Sequence, residues 1–340
     1  MTEAKLSPKA AERVAREAAC QSFSNAARAI NVDWNTTYNG KQIQLWSEKF
    51  GERVVRERTS EVRAYERGSR PVGPVNDPVL LVIGVDGGRV QTREKNPETN
   101  SRWRENKVAT LTRCLPGDGN EKKPQVLTTT HVATMDDCKA FGKLARVEAE
   151  RRGIRQAEQV IVIGDGGNWI DPLWQKHFFR HPRIIDYYHA VEHLYEVARA
   201  VHAQDDAQRQ RLAQQLKDHL WHGRLDKLMA QLQGFSEAAG PPRKHDPTTH
   251  ARRVLATNLG YFQNHRQHMN YPEYRQKGWP IGSGITESGV KQFNKRVKGT
   301  DQFWNRPGAD AILALRGLWL SQDDRWKHYW LYGHLHKKVA

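Results

Sequence analysis

Two acidic tetrapeptides, Val85-Asp86-Gly87-Gly88 and Gly164-Asp165-Gly166-Gly167, are the parts of this chain best suited to chemistry. Each closes an apolar run that reads as a buried strand, Val79-Leu80-Leu81-Val82-Ile83 before the first and Val160-Ile161-Val162-Ile163 before the second. A carboxylate just past the end of a core strand is placed to hold a metal ion or face a phosphate, and glycines beside it let backbone or ligand come close. A third acid, Glu287 in Gly282-Ser283-Gly284-Ile285-Thr286-Glu287, stands at the start of a basic helical stretch. Hard oxygen donors of this kind suit Mg²⁺ or Mn²⁺. Two such ions roughly 4 Å apart activate the attacking oxygen and stabilise the leaving one in phosphoryl transfer. Three carboxylates crowded together without cations would repel one another. Asp86, Asp165 and Glu287 are therefore expected to be both the catalytic residues and the ligands of two ions.

The charge of the chain points to the substrate. Its 340 residues carry 54 Lys and Arg against 38 Asp and Glu, a formal net charge of +16. The excess is spread along the sequence rather than gathered in a tail, which suits an extended surface for a polyanion such as double-stranded DNA. No run approaches the roughly 20 apolar residues of a membrane helix, and the N-terminus has no apolar signal core. Cys20, Cys114 and Cys138 are isolated and odd in number, so neither a disulfide framework nor a zinc pair is expected. The reading is a cytoplasmic, nucleoid-associated protein without a membrane partner.

The elements that must position the acids follow from periodicity. Residues 1–76 read as a helical DNA-binding region, with a short helix, a polar turn near Asn35 and a longer helix from Lys41, the order of a helix-turn-helix. The stretch Gly68-Ser69-Arg70-Pro71-Val72-Gly73-Pro74 is a linker by composition. Strands are expected at 79–86, 107–114, 125–132, 160–164 and 183–188, with a helix at 135–152. Three strands in succession, then helix, strand, helix, strand, imply a mixed five-strand sheet of the ribonuclease H-like kind. The first part of that α/β core spans 77–203, and an all-helical insertion follows at 204–280. The core resumes at 281–322 with the Glu287 helix, and 323–340 form a tail.

Around Glu287 the spacing separates two faces. Lys291, Lys295 and Lys298 extend a basic face toward nucleic acid, while Val290, Phe293 and Val297 form a core stripe. Arg306 is read as a phosphate contact, and Trp169, Trp279, Phe303 and Trp304 as residues able to stack on an unpaired base. Asp186 and His189, with His193 one turn further on, follow an apolar run and are placed beside the active site. Their alternative role is a hydrogen-bonded pair that docks a helix on the sheet. A zinc site on the two histidines lacks an evident third ligand.

Five segments together resemble a known group. Val85-Asp86-Gly87-Gly88-Arg89-Val90, Ile163-Gly164-Asp165-Gly166-Gly167-Asn168-Trp169-Ile170, Asp186-Tyr187-Tyr188-His189-Ala190-Val191-Glu192-His193-Leu194, Gly282-Ser283-Gly284-Ile285-Thr286-Glu287-Ser288 and the block from Trp304 to Arg316 stand in the order found in DDE transposases of bacterial insertion sequences. The resemblance is to the Kra-type family, distantly related to Mutator-like transposases, and covers roughly residues 20–322. It implies cleavage at transposon ends and strand transfer into target DNA, with Asp86, Asp165 and Glu287 on the catalytic positions. Asp186 and His189 match the D-x-x-H signature of the wider Mutator-like group, and a dimer or larger assembly on DNA is implied by analogy. Gly88 differs from the turns usual at the first acid, and only about 20 residues precede the helix-turn-helix. Two other readings stand beside this one: an actin-like ATPase or sugar kinase, and a transposase-derived protein that binds DNA without cutting it.

Overall fold

The computed structural model describes residues 6–69, 71, 79–118, 123–299 and 302–333. Residues 70 and 72–74 of the expected linker, and 334–340 of the tail, lie outside the described residues.

Three helices open the chain: α1 (Pro8–Cys20), α2 (Phe23–Trp34) and α3 (Gly40–Glu66). Their starts are written in the sequence. Ser7 and Ser22 accept hydrogen bonds from the first-turn amides of α1 and α2, and Asn39 and Gln42 cap α3 reciprocally. The turn between α2 and α3 is closed by Asn31, whose side chain donates to the Tyr38 carbonyl and accepts from its amide, both at 2.8 Å. These helices share a core with the rest of the molecule. Val14, Ile30, Ile43 and Phe50 pack with Val90 and Val108 of the sheet and with Phe293 and Ile312 further on. Gly51 permits the approach, because a Cβ there would lie 2.3 Å from the Ala311 carbonyl oxygen.

The sheet has five strands, β1 (Leu80–Gln91), β2 (Trp103–Leu115), β3 (Gln125–Thr134), β4 (Gln159–Gly164) and β5 (Arg183–Ile185), in the order β3-β2-β1-β4-β5. The first three form an antiparallel meander, and β4 and β5 add parallel to β1. Crossovers run through α4 (Cys138–Arg151) and α5 (Ile170–His177). This is the mixed ribonuclease H-like sheet that the order of elements implies. Alternation along β1 sends Leu81, Ile83 and Val85 toward Phe141 and Leu173 on the α4 and α5 side. Leu80 and Val82 face the other way, toward α6 (Tyr187–Val201), α7 (Asp206–Trp221), α8 (Leu225–Ala239), α9 (Ala251–His265) and α10 (Tyr271–Gln276). Among the described residues, 204–280 contain no strand. The chain then returns to the sheet through α11 (Gly284–Val297), α12 (Arg306–Leu320) and α13 (Arg325–Tyr332).

Strand ends near the acids differ from the sequence reading. β1 does not stop at Asp86 but pairs with β2 as far as Gln91, so Asp86 lies within a strand, opposite Val108. β4 pairs with β1 only from Leu80 to Gly84, which frees one edge of β1 just before the acid. β5 ends three residues early, because the Asp186 side chain accepts from the amides of Tyr188 and His189 and starts α6.

Candidate active site

Strand parity and one glycine set the geometry of the site. Gly84 and Asp86 point to the same face of β1, the face that α11 covers. A Cβ on Gly84 would fall 1.8 Å from the Thr286 hydroxyl oxygen and 2.7 Å from that of Thr110. The bare glycine lets α11 lie on the strand, where Thr286 and Thr110 share a 2.8 Å hydrogen bond. Thr286 immediately precedes Glu287, so this contact carries the acid to the sheet.

Asp165 follows the last residue of β4, as its sequence implies. One of its carboxylate oxygens accepts from the Gly167 amide at 2.9 Å, and its carbonyl accepts from the Arg183 guanidinium at 3.0 Å. Arg183 is almost fully buried, and burial pushes its guanidinium down to about 10. Asp186, also buried, ties the two halves of the core together. One oxygen caps α6, and the other accepts from the Ser283 amide at 2.6 Å and from the Ser283 hydroxyl. The same hydroxyl lies 3.4 Å from the Glu287 carboxylate. Asp186 thus docks α6 and holds the loop that leads to Glu287, and it stands in the wall of the same cavity as the other acids.

Asp86, Asp165, Asp186, His189 and Glu287 line one cavity of about 960 Å³. Among the described residues no Lys or Arg forms a salt bridge with Asp86 or Asp165, and Glu287 meets only Lys291, at 3.8 Å. Asp86 registers the imbalance. Burial, with the charges of Asp165 and Glu287 adding to it, pushes its carboxyl up to about 6 despite a 2.6 Å hydrogen bond from the Gly87 amide. Burial dominates that shift, and the two other acids add to it. Among the described residues, however, no three His, Cys, Asp or Glu side chains form a group that could hold a metal ion as they stand. The expected convergence reaches a shared cavity and stops short of a closed ligand set.

His189 and His193 lie edge to face at 4.9 Å. Nδ1 of His193 is 2.7 Å from the Asn258 side-chain oxygen, and its ring stacks on Tyr261 at 3.9 Å. Burial pushes the His193 imidazolium down from its usual range. His193 is therefore a packing contact between α6 and α9, while His189 opens on the acidic cavity. Tyr261 and His265 carry no mark in the sequence, yet they press on the second acidic turn. A Cβ on Gly166 would lie 2.2 Å from the Tyr261 ring and 2.9 Å from the His265 imidazole.

The expected nucleic-acid contacts divide. Lys291, Lys295 and Lys298 are exposed along α11, and Lys298 sits 5.5 Å from the Trp103 ring. Arg306 is exposed at the start of α12, where it donates to the Met135 carbonyl at 2.9 Å and pairs with Asp136 at 3.5 Å. Trp304 is a correction. It is buried, donates to the Val297 carbonyl at 2.9 Å and packs against Phe23 and the buried Arg296, so no base can reach it. Trp169 packs on Phe141. Trp279 is largely buried against Tyr274 at the edge of the cavity, and Phe303 is partly exposed beside Arg102. Among the described residues no helix is long and apolar enough to cross a membrane.

No protein-family model matches the chain, and no curated protein matches it. Among solved structures, the Drosophila P element transposase strand transfer complex aligns with 10% identity over 95% of this chain and 93% of that one, at a TM-score of 0.36. A likeness that loose says nothing about what this chain does.

Proposed function

We propose that the chain is a DDE-type transposase of an insertion sequence, a metal-dependent polynucleotidyl transferase that cuts transposon-end DNA and joins it to target DNA. The observation that carries this reading is the shared cavity of Asp86, Asp165 and Glu287, in which Asp86 is pushed up to about 6 by burial and by the other two acids. Carboxylates gathered in one cavity on a ribonuclease H-like sheet, in a chain of net charge +16, suit a site that takes cations together with a polyanion. Hard oxygen donors suit Mg²⁺ or Mn²⁺, so Asp86, Asp165 and Glu287 would be the residues to hold such ions, which would neutralise the acids and polarise the attacking and leaving oxygens.

The chain's own residues set the stage. Asp86 lies in β1 and Asp165 just after β4, and Gly84 with Thr286 seats the start of α11 on the sheet so that Glu287 opens on the same cavity. Asp186 and Ser283 fix the loop before α11. Lys291, Lys295 and Lys298 continue from Glu287 as a row of exposed cations for DNA phosphates. The actin-like reading needs a duplicated fold, and the described residues hold one five-strand sheet.

The test uses a DNA fragment carrying the coding segment with its flanks, incubated with the protein and Mg²⁺ or Mn²⁺ and read for nicks on a sequencing gel. Site-specific nicks that need the divalent ion and vanish in Asp165→Asn are the expected result. DNA binding without nicking would favour the non-cleaving relative. Nicks that persist in Asp165→Asn at the parental rate would overturn the mechanism.

A further inference from the structure

A second concentration of charge lies at the far end of β4 from Asp165. That strand is six residues long, so the two places are separated by roughly 20 Å. There α3, α4, the loop before β4 and the segment between α5 and β5 enclose a cavity of about 590 Å³. Arg146, Arg155, Lys176 and Arg180 line it, together with Tyr65 and Phe179.

The cations outnumber their partners. Arg146 and Arg155 both donate to one buried acid, Glu150, at 3.0 and 2.6 Å, and the Tyr65 hydroxyl donates to it as well. Lys176 and Arg180 are exposed and form no salt bridge with any described residue. The surplus is felt by the two histidines in the wall. His177 is pushed down to about 4 by burial first and then by Lys176, Arg146 and Lys143. His181 is pushed down by burial, with Arg146 and Arg180 adding. A solvated charged face would account for the lysine and the arginines. It does not account for Phe179, which is 61% exposed at the same rim with the Arg180 guanidinium 5.5 Å from its ring.

We propose that this cavity binds a nucleic-acid strand, with phosphates on Arg146, Arg155, Lys176 and Arg180 and a base or sugar against Phe179. Cations in surplus recognise the backbone, and an exposed aromatic ring beside an arginine is the platform on which unpaired bases stack. An acidic protein would satisfy the charges but has no particular use for the ring. A free nucleotide would use both but not all four cations around the cavity. The contact is remote from the carboxylate cavity and does not depend on that reading.

The test measures binding of a fluorescent oligothymidylate to the full chain by anisotropy across a salt series, in an Asp165→Asn background that prevents cleavage. Lys176→Ala with Arg180→Ala should weaken binding about tenfold near 0.1 M salt and flatten the log–log salt slope by about 1.4, at about 0.7 per lost phosphate contact. Phe179→Ala should weaken binding about fivefold or more and leave the slope unchanged. All three residues are exposed, so the variants should melt with the parent, and a melting curve checks that they are folded. Parental affinity and slope in both variants would overturn the proposal. So would displacement by polyglutamate as effective as by unlabelled oligonucleotide, with Phe179→Ala silent, which would point to an acidic protein. Displacement by millimolar ATP as effective as by a strand of equal phosphate content would point to a free nucleotide and overturn it equally.

Discussion

Asp86 and Asp165 share a pattern of sequence, an apolar run followed by Asp-Gly-Gly, and they stand on different backbones. Asp165 leaves the sheet in a loop after β4, whereas Asp86 remains inside β1 with paired residues on either side of it. None of Gly87, Gly88, Gly166 and Gly167 has a positive φ, so neither pair is there for a left-handed turn. What the glycines share is proximity. Gly88 lies under the buried Asn106 and under Asn294 of α11, and Gly166 lies under Tyr261 and His265 of α9. Each acid is thus locked to a different helix, the first to the helix that bears Glu287 and the second to the helical region between β5 and α11. An Asp-Gly-Gly segment read from sequence marks a place where another element comes close. It does not say whether the strand ends there.

The largest effect expected on either acid is chemical. Asp165→Asn keeps the shape of the loop, because the amide oxygen can still accept from Gly167, and should lower nicking by at least about 1,000-fold, the order lost when a group acting directly on the transition state is removed. Asp86→Asn should do the same if the two acids act as a pair. A difference of more than about tenfold between the two variants in nicking of the same fragment would break that equivalence.

Next in size is the contact that delivers Glu287. Gly84→Ala places a methyl group where the Thr286 hydroxyl now sits, with Thr110 on the other side and no room to yield. Overpacking of this kind costs about 1–3 kcal/mol, and Gly84 should fall at the upper end. Adding Thr286→Ala removes the nearest atom and should recover part of the loss, which urea denaturation of the single and double variants would reveal. Strict additivity would show that α11 does not rest on β1 through this pair.

Smaller effects separate the two glycine pairs. Gly87→Ala meets only the end of the exposed Glu105 side chain, at 2.8 Å, and should change stability by less than about 0.5 kcal/mol. Gly88→Ala meets buried Asn106 at 2.5 Å, and Gly166→Ala meets the Tyr261 ring. Each should cost about 1–2 kcal/mol in thermal or urea unfolding. Equal tolerance at 87, 88 and 166 would mean that the helices do not press on the acidic segments.

Legibility in the sequence differs from residue to residue. The existence of five strands, the helical stretch at 204–280 and the position of Glu287 at a helix start follow from local periodicity, and the mixed sheet follows from the succession of elements; the structure has them. The extension of β1 past Asp86 is hidden because two glycines look like a turn. Only the partner strand, running from Trp103, shows that the ladder continues. Asp186 ends β5 early because it caps a helix, a signal present in its residue type but masked by the apolar run around it. Trp304 reads as a stacking platform, yet its burial depends on Phe23 and Arg296, the first of them far away in sequence. Tyr261 and His265 have no local mark at all, since their role comes from what α9 rests on.

The pH dependence of stability tests what burial and the neighbouring acids do to Asp86. In the native protein the Asp86 carboxyl is raised from 3.8 to about 6, chiefly by burial and then by Asp165 and Glu287. Between those two values the folded chain holds a proton that the unfolded chain has released, so stability falls as pH rises from about 4 to about 6 and is level above. A shift of that size corresponds to about 3 kcal/mol at most, and partial solvent access to the cavity reduces it to about 1–2 kcal/mol. Asp86→Asn removes the penalty. It should be about 1–2 kcal/mol more stable than the parent at pH 7 and equal to it at pH 4, measured by urea denaturation in metal-free buffer. Mg²⁺ or Mn²⁺ at pH 7 should stabilise the parent and close most of that gap, because a bound cation relieves the same repulsion. If parent and variant run parallel from pH 4 to pH 7, the Asp86 carboxyl is raised neither by burial nor by the other two acids. The difference between the two aspartates would then be one of backbone alone.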